Sequence, residues 1–214
     1  MAFRVAVLVS GTGTNLQAIL DEVHGREGIE VVGVGSSSPD ARGLERAHQA
    51  GVQSEVFELG VYAERDERDR ALAEWLDARE VDLVVLAGFM ELLGSEFIAR
   101  FRGRIINVHP SLLPAFPGVH AIEQALAHGV KLIGVTVHFV DEGVDSGPII
   151  LQEAIELSYP SEIAEVEDRV HGVEHRLLPQ AITLIAEGRV RVDPDNPRLV
   201  MIESEGQDER GDAG

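Results

Sequence analysis

The chain contains no cysteine, which excludes disulfide bonds, thiolate metal sites and a cysteine nucleophile. Aromatic residues are also scarce, at 5% of the 214 residues, so aliphatic side chains must fill the core. No apolar run approaches the roughly 18 residues that a membrane helix needs. The first residues do not combine a basic segment with a long apolar stretch, so no signal peptide is predicted. We therefore expect a cytoplasmic protein that has no membrane partner.

Basic residues are outnumbered, because 18 Lys and Arg stand against 37 Asp and Glu and give a formal net charge of −19. Non-specific binding of nucleic acid depends on cationic side chains that meet phosphates, so this charge argues against a nucleic-acid partner. A small anionic ligand remains compatible, since backbone N–H groups and a few local cations can hold it. The acidity is interpreted as a contribution to solubility rather than as a surface for a partner.

Short β-branched runs alternate with amphipathic segments, which is typical of βαβ units and predicts an α/β fold with a doubly wound, mainly parallel sheet. Only residues 141–148 separate the last two strand-like runs. That is too short for a helical crossover, so these runs should form an antiparallel C-terminal pair. Strands are predicted at 4–9, 29–35, 53–57, 83–86, 104–108, 132–140 and 149–157, and helices at 15–23, 65–79, 119–128 and 162–187.

Two further expectations concern the C-terminal part of the chain. Pro179 lies inside the last helical pattern, where it lacks an N–H donor and crowds the preceding turn, so it should end or kink that helix. Residues 201–214 are acidic, rich in glycine and poor in apolar side chains, and are predicted to be a disordered tail.

A glycine loop, Ser10–Asn15, follows the first strand and opens the first helix. Glycines let the backbone approach a ligand, and a helix start offers free N–H groups, so the loop suits a phosphate monoester or a carboxylate. The third glycine of a dinucleotide fingerprint and the lysine of a P-loop are both missing. The alternative is a tight turn capped by Thr14 or Asn15 that binds no ligand.

Asn107 and His109 stand two residues apart at the end of a predicted strand, which places them on one face. Ligands of open α/β sheets bind beyond the carboxyl ends of strands. If Asp145, in the glycine-rich loop after residue 140, lies beside His109, it favours the imidazolium, which together with the Asn107 amide can stabilise an oxyanion. The alternative is that Asn107 and His109 only form hydrogen bonds to the backbone at the end of the strand. A serine nucleophile at Ser111 is disfavoured because G-x-S-x-G is absent.

Five sequence features then identify a resemblance. SGTGTNLQAI, VLAGFMELL, INVHPSLLPAFPG, GVTVHFVDEGVDSGP and the late Glu174 occur in this order. Together, over residues 3–192, they closely resemble the glycinamide ribonucleotide transformylases, which are folate-dependent phosphoribosylglycinamide formyltransferases, here of the single-domain bacterial type. The resemblance implies a Rossmann-like formyltransferase domain at 1–192, with a phosphate-binding N-terminal half and a folate-binding C-terminal half. It also implies formyl transfer from 10-formyltetrahydrofolate to phosphoribosylglycinamide in purine biosynthesis.

The resemblance carries roles to individual positions. His109 matches the catalytic proton donor, Asn107 a residue that touches the formyl group, and Asp145 the acid that tunes the histidine. The Leu113–Pro114 bond matches a cis peptide, and Glu91 stands where some relatives carry a basic residue. The positions that match the phosphoribosylglycinamide site are Gly13, Thr14, Asn15, His171, Gly172, Val173 and Glu174. Those that match the formyl-folate site are Arg65, Met90, Glu91, Leu92, Leu93, Asn107, Asp141, Glu142, Gly143, Val144 and Asp145.

The resemblance implies small-molecule substrates, with 10-formyltetrahydrofolate as co-substrate, and a monomer or homodimer. The histidines include no H-E-x-x-H pattern, and no metal is expected. Alternatives remain within the wider group of formyl-folate enzymes, namely a formyltetrahydrofolate deformylase and a methionyl-tRNA formyltransferase. Both usually carry an additional domain, and the acidic charge disfavours tRNA. A non-catalytic nucleotide-binding module and an interaction protein that keeps the fold without turnover are the alternatives of other classes.

Overall fold

Seven strands form a single sheet in the order β3-β2-β1-β4-β5-β6-β7. The protein is described by a computed structural model that covers residues 1–204. The strands are β1 Phe3–Val9, β2 Ile29–Ser36, β3 Ser54–Val56, β4 Leu83–Leu86, β5 Ile105–His109, β6 Leu132–Phe139 and β7 Ile149–Glu156. The first five strands pair in parallel, whereas β6 is antiparallel to β5 and β7 is antiparallel to β6. The predicted doubly wound, mainly parallel sheet with an antiparallel C-terminal pair is confirmed.

Helices cover both faces of the sheet, as the mostly apolar strands require. One core cluster packs α1, α2, α5 and α6 on one face, and a second cluster packs α3 and α4 on the other. The helices are α1 Thr14–Glu22, α2 Arg42–Gln49, α3 Arg65–Asp77, α4 Ser95–Arg100, α5 Ala121–His128 and α6 Ile163–Ala186, with a 3-10 turn at Leu59–Val61. None of the helices in residues 1–204 is long and apolar enough to cross a bilayer.

Sequence patterns located every strand of this sheet but missed two helices. α2 buries only Gly43 and Ala47, so no apolar stripe marks it, and α4 is six residues long. Of the two predicted effects of Pro179, an end to the last helix was wrong, because α6 runs through it from 163 to 186, and a kink stays a prediction. Pro179 is itself buried on the apolar face of α6, and that packing outweighs the missing hydrogen bond.

A small hairpin lies beyond α6, where β8, Val190–Val192, pairs antiparallel with β9, Val200–Ile202. The predicted disordered tail began at residue 201, which is wrong for 201 and 202 because they belong to β9. Sequence analysis did not predict this strand because three residues are too few to show an alternation of apolar and polar side chains. Residues 205–214 of the predicted tail lie outside the described residues.

The order of the strands brings three loops together at one edge of the sheet. β1, β4 and β5 are parallel neighbours, so the segments that follow them leave the sheet at the same edge. The segment between β6 and β7 closes tightly, because a Cβ on Gly147 would stand 1.8 Å from the carbonyl oxygen of Phe139. Only glycine, which has no Cβ, therefore fits at position 147.

Replacement of Gly147 by alanine should therefore destabilise the fold. The added methyl meets backbone, which cannot rotate away, so we expect the free energy of unfolding to fall by about 1–3 kcal/mol. Gly172→Ala is the matched control, because nothing lies within 4 Å of its Cβ position and it stands inside α6. The free energy of unfolding of this control should rise by up to about 1 kcal/mol, because alanine has a higher helix propensity than glycine. Urea unfolding of both variants measures the difference, and equal stability would contradict the steric argument.

Candidate active site

His109 is the last residue of β5, and its imidazole is buried, at 4% exposure. Its Nδ1 lies 3.4 Å from Oδ2 of Asp145, and its Nε2 lies 2.8 Å from the carbonyl oxygen of Phe116. Each ring nitrogen therefore faces an oxygen acceptor. These two oxygens fix the orientation of the imidazole ring.

Asn107 lies on the same face of β5 as His109, as the alternation of the strand predicts. Its Nδ2 lies 3.3 Å from Oδ1 of Asp145 and 3.3 Å from Nε2 of His138. The structure therefore brings together the three side chains that were predicted to converge. Asp145 reaches them although it lies 38 residues beyond Asn107 in sequence.

His138 is a member of this cluster that sequence analysis did not propose. It stands opposite Asn107 in the antiparallel pairing of β5 and β6, and it is 2% exposed. Its Nδ1 lies 2.8 Å from the carbonyl oxygen of Phe139, and its Nε2 lies 3.6 Å from Oδ1 of Asp145. The β5–β6 register would have revealed it, since residues that pair across a sheet point to the same face.

Asp145 connects the cluster to the neighbouring loops. Its Oδ2 accepts a 2.7 Å hydrogen bond from the backbone N–H of Gly118, and its backbone has a φ of 50°. Burial on its own would raise the pKa of this carboxyl. The neighbouring imidazole of His138, the Gly118 N–H and the imidazole of His109 outweigh burial and hold the pKa of Asp145 below its usual value. Asp145 is therefore a carboxylate at neutral pH.

Two cavities lie near this cluster, and β5 contributes neighbouring residues to both of them. The first measures about 310 Å³ and is lined by the glycine loop, by Val108 and Pro110, and by Glu174. The second measures about 370 Å³ and is lined by Asn107, His138 and residues 141–145. Successive residues of one strand thus face two different cavities. His109 directly follows Val108, which lines the first cavity, and it shares a face of β5 with Asn107, which lines the second.

The glycine loop lines the first cavity, and contacts from α2 set the direction of its peptide groups. Gly43 N–H donates to the carbonyl of Gly11, at 3.2 Å, and Arg46 Nε donates to the carbonyl of Thr12, at 2.9 Å. In a trans peptide the C=O and N–H groups point in opposite directions. The N–H groups of Thr12 and Gly13 therefore point away from α2. Within residues 1–204 they have no hydrogen-bond acceptor, which leaves them free for an anion.

Glu174 projects from α6 into the first cavity, where it is 5% exposed and accepts a 3.0 Å hydrogen bond from Nδ2 of Asn15. Burial raises the pKa of Glu174, against the opposing effects of the Asn15 hydrogen bond and of the His171 charge. His171 lines the same cavity. Gly172 instead lines a groove on another side of α6, and Val173 packs against the core.

Most positions that were assigned to the folate site line the second cavity. Most of them form two groups, one after β4 and one in the loop between β6 and β7, while Arg65 lies on α3 and Asn107 on β5. Asp141 organises that loop, because its Oδ1 accepts hydrogen bonds from Gly143 N and from Ser146 Oγ. Met90 differs, since it lines the first cavity. The residues that line the second cavity include Arg65, Glu91, Leu92, Leu93, Asn107, Asp141, Glu142, Gly143, Val144 and Asp145.

Among residues 1–204, no three acidic, histidine or cysteine side chains are grouped so that they could hold a metal ion. The Leu113–Pro114 peptide is cis, as the resemblance implied. A second cis peptide, Tyr159–Pro160, was not expected.

Residues 3–182 match the sequence profile of the formyl transferase family. The chain is 41% identical over 180 residues to the phosphoribosylglycinamide formyltransferase of Bacillus subtilis (strain 168), and the match covers 84% of this chain and 92% of that one. The Escherichia coli (strain K12) protein of the same name is 40% identical, with 88% and 89% covered. A trifunctional purine biosynthetic protein of Drosophila melanogaster is 45% identical over 195 residues. The match covers 90% of this chain but only 14% of that relative.

Solved structures agree with these relatives. The crystal structure of glycinamide ribonucleotide transformylase 1 from Symbiobacterium toebii superposes with a TM-score of 0.90 at 49% identity, and 95% of each chain is covered. The phosphoribosylglycinamide formyltransferase of Anaplasma phagocytophilum gives a TM-score of 0.88 at 34% identity, with 97% of each chain covered.

The buried carboxyl of Glu174 predicts a pH-dependent stability. Because its pKa is raised on folding, the folded state holds the proton more tightly than the unfolded state does. Stability therefore falls as the pH rises from about 4.3, the usual glutamate value, through the raised pKa. Glutamine has no proton to lose, so Glu174→Gln should match the parent protein near pH 4 and exceed its stability near pH 7.5.

Urea unfolding at a series of pH values measures this difference. Glu74→Gln is the control, since Glu74 is exposed on α3 and should show no such gain. A stability difference between Glu174→Gln and the parent that does not change with pH would contradict the prediction.

Proposed function

The chain belongs to the formyl transferase family, and we propose that it transfers the formyl group of 10-formyltetrahydrofolate to the primary amine of phosphoribosylglycinamide, a step of purine biosynthesis. One observation carries this proposal beyond the family. Val108 of β5 lines one cavity and Asn107 lines the other, and the His109–Asp145 pair lies at the end of the same strand. The names of relatives that this chain covers almost completely support the same reaction.

The first cavity suits the phosphoribosyl substrate. Free N–H groups of the glycine loop, at the start of α1, would bind the phosphate, which explains how a chain of charge −19 can hold an anion. His171 lines the same cavity and offers a polar ring to the ligand, and Glu174 offers a carboxyl to the glycinamide part. The reactive amine would then lie toward Val108 and Pro110, next to His109.

The second cavity suits the formyl donor. Apolar side chains after β4, including Phe89 and Leu92, provide a surface for a flat ring, and the loop 141–145 provides polar backbone. Arg65 is an exposed cation at the cavity and can meet the carboxylates of the folate tail. The acidic side chain of Glu91 cannot form such an ion pair, so its contribution would come from its backbone.

Transfer would proceed by direct attack. The amine nitrogen bonds to the formyl carbon, and the carbonyl oxygen gains negative charge that protonated His109 and the Asn107 amide stabilise. Asn107 would exchange one of its contacts, to His138 or Asp145, for this oxygen, and His109 Nε2 would exchange its contact with the Phe116 carbonyl. The bond to the folate nitrogen then breaks, the attacking amine loses a proton, and the folate nitrogen gains one through His109 and water near Asp145. No covalent enzyme intermediate is needed.

Replacement of His109 by alanine should lower kcat by about 10²–10⁴-fold, the usual contribution of a general acid or base. KM for either substrate should change far less, because His109 is buried between the two cavities and contributes little to their walls. His48→Ala is the control, since His48 is exposed on α2. Steady-state kinetics with both substrates measure the effect.

The same assay separates the alternative functions. The protein should form formylglycinamide ribonucleotide and should neither hydrolyse 10-formyltetrahydrofolate appreciably without the amine substrate nor formylate charged tRNA. Fast hydrolysis would favour a deformylase. Turnover of neither substrate, with tight binding of NAD, would favour a nucleotide-binding module. Turnover of neither substrate without ligand binding would favour an interaction protein.

Arg46 provides a test of the phosphate site. Arg46→Met removes the hydrogen bond to the Thr12 carbonyl, so the Thr12–Gly13 peptide loses its fixed orientation. KM for phosphoribosylglycinamide should rise about tenfold, the value of one well-placed hydrogen bond to a charged group, while KM for the formyl donor stays unchanged. Arg42→Met, on the exposed face of the same helix, is the control. Equal KM values in all three proteins would show that Arg46 does not orient the loop.

A further inference from the structure

A buried ion pair on α3 lies next to the second cavity and has no part in the mechanism described above. Arg68 is fully buried and Asp69 is 4% exposed. Arg68 Nε donates to Oδ1 of Asp69 at 2.6 Å. The guanidinium also stands 5.8 Å from the ring centroid of Phe89, which lines the cavity. Arg68 is the largest of the fully buried side chains in residues 1–204.

Stability alone does not account for this pair. Two charges taken out of water lose hydration that their mutual attraction only partly returns, and packed apolar residues of similar volume often do as well or better. Arg68 Nη1 adds a further cost, because it is buried and has no hydrogen-bond partner within residues 1–204. A costly buried pair that persists suggests a function in its other contacts.

Those contacts are to the backbone that lines the cavity. Arg68 Nη2 donates to the carbonyl of Leu92 at 3.0 Å, and Asp69 Oδ2 accepts from the N–H of Gly94 at 2.6 Å. The two side chains therefore hold the two peptide groups that flank Leu93. Since C=O and N–H of a trans peptide point in opposite directions, the N–H and C=O of Leu93 both point away from the ion pair.

Leu93 is thus left with an adjacent donor and acceptor. Neither its N–H nor its C=O makes a hydrogen bond within residues 1–204. Leu92, Leu93 and Gly94 all line the second cavity. A half-buried backbone edge of this kind needs partners, and a ligand in the cavity is the available source.

We propose that Arg68 and Asp69 are positioning residues for the formyl donor, which fix Leu93 so that its backbone binds the edge of a pteridine ring. A pteridine carries an exocyclic amino donor next to a ring nitrogen acceptor, which complements the C=O and N–H of one residue. Neither charged side chain touches the substrate. The inference rests on the proposed function, because it assigns the second cavity to a folate.

Arg68→Lys and Asp69→Asn test the proposal. Lysine keeps the buried positive charge, but its single ammonium nitrogen cannot reproduce the two separate donors that the guanidinium directs at Asp69 and at the Leu92 carbonyl. Asparagine keeps the shape of Asp69 but removes its charge. KM for 10-formyltetrahydrofolate should rise about tenfold in each variant, whereas kcat and KM for phosphoribosylglycinamide stay within about twofold. A general loss of structure would change all three parameters together.

A second ion pair gives the matched control. Asp77, on α3, pairs with Arg100, on α4, but both side chains are more than 40% exposed. Arg100→Lys and Asp77→Asn make the same chemical changes on the same pair of helices and should leave both KM values unchanged. A folded Arg68→Lys or Asp69→Asn protein with parental KM for the formyl donor would overturn the proposal.

A paired variant covers the case in which the single changes prevent folding. Arg68→Met combined with Asp69→Leu removes both buried charges together, so neither is left uncompensated. This protein should unfold at a temperature similar to that of the parent and still show the raised KM for the formyl donor. An unchanged KM in the paired variant also overturns the proposal.

Failure of the proposed function gives a different result. If the parent protein transfers no formyl group, the assigned reaction is wrong, and calorimetry with tetrahydrofolate then tests the pair directly. Binding to the parent that weakens about tenfold in the paired variant supports the positioning role. Equal binding by both proteins, or binding by neither, overturns it.

Discussion

The half-buried carboxylate of Asp145 is the group on which the arrangement of the candidate site depends. A negative charge removed from water must be met by donors, and here the donors come from three separate segments. Asn107 and His109 belong to β5, His138 belongs to β6, and the Gly118 N–H belongs to the loop before α5. The carboxylate therefore ties together the strand and the loops that separate the two cavities.

Oriented backbone is a feature of both cavities, and at the first it reconciles an acidic chain with the anionic substrate proposed there. At both cavities, side chains on a neighbouring helix hold carbonyl groups from outside and so turn N–H groups inward. Arg46 does this for Thr12 beside the first cavity, and Arg68 does it for Leu92 beside the second. A few arginines placed behind the binding surface thus have a larger effect than their number suggests, because each one fixes the direction of a peptide dipole.

The sequence was informative where structure depends on local pattern. Apolar β-branched runs located the seven strands of the sheet, since strands covered by helices on both faces must be apolar. The alternation of β5 and the position of strand ends brought Asn107 and His109 to one site. Sequence pattern failed where a residue acts through distant contacts. His138 depended on the β5–β6 register, and the importance of Arg46 and Arg68 depended on carbonyls 34 and 24 residues away.

The proposed direct transfer is compatible with the way β5 contributes to both cavities. Asn107 lines one cavity and Val108 the other, so the strand whose end carries the candidate proton donor borders both proposed binding sites. A covalent carrier would be needed if the reacting atoms were held apart, but here they would meet beside one imidazole. Binding both molecules in line removes much of the entropy of their encounter, which is worth about 7–11 kcal/mol in the best cases. The site therefore needs little more than two oriented cavities, an oxyanion donor and a path for one proton.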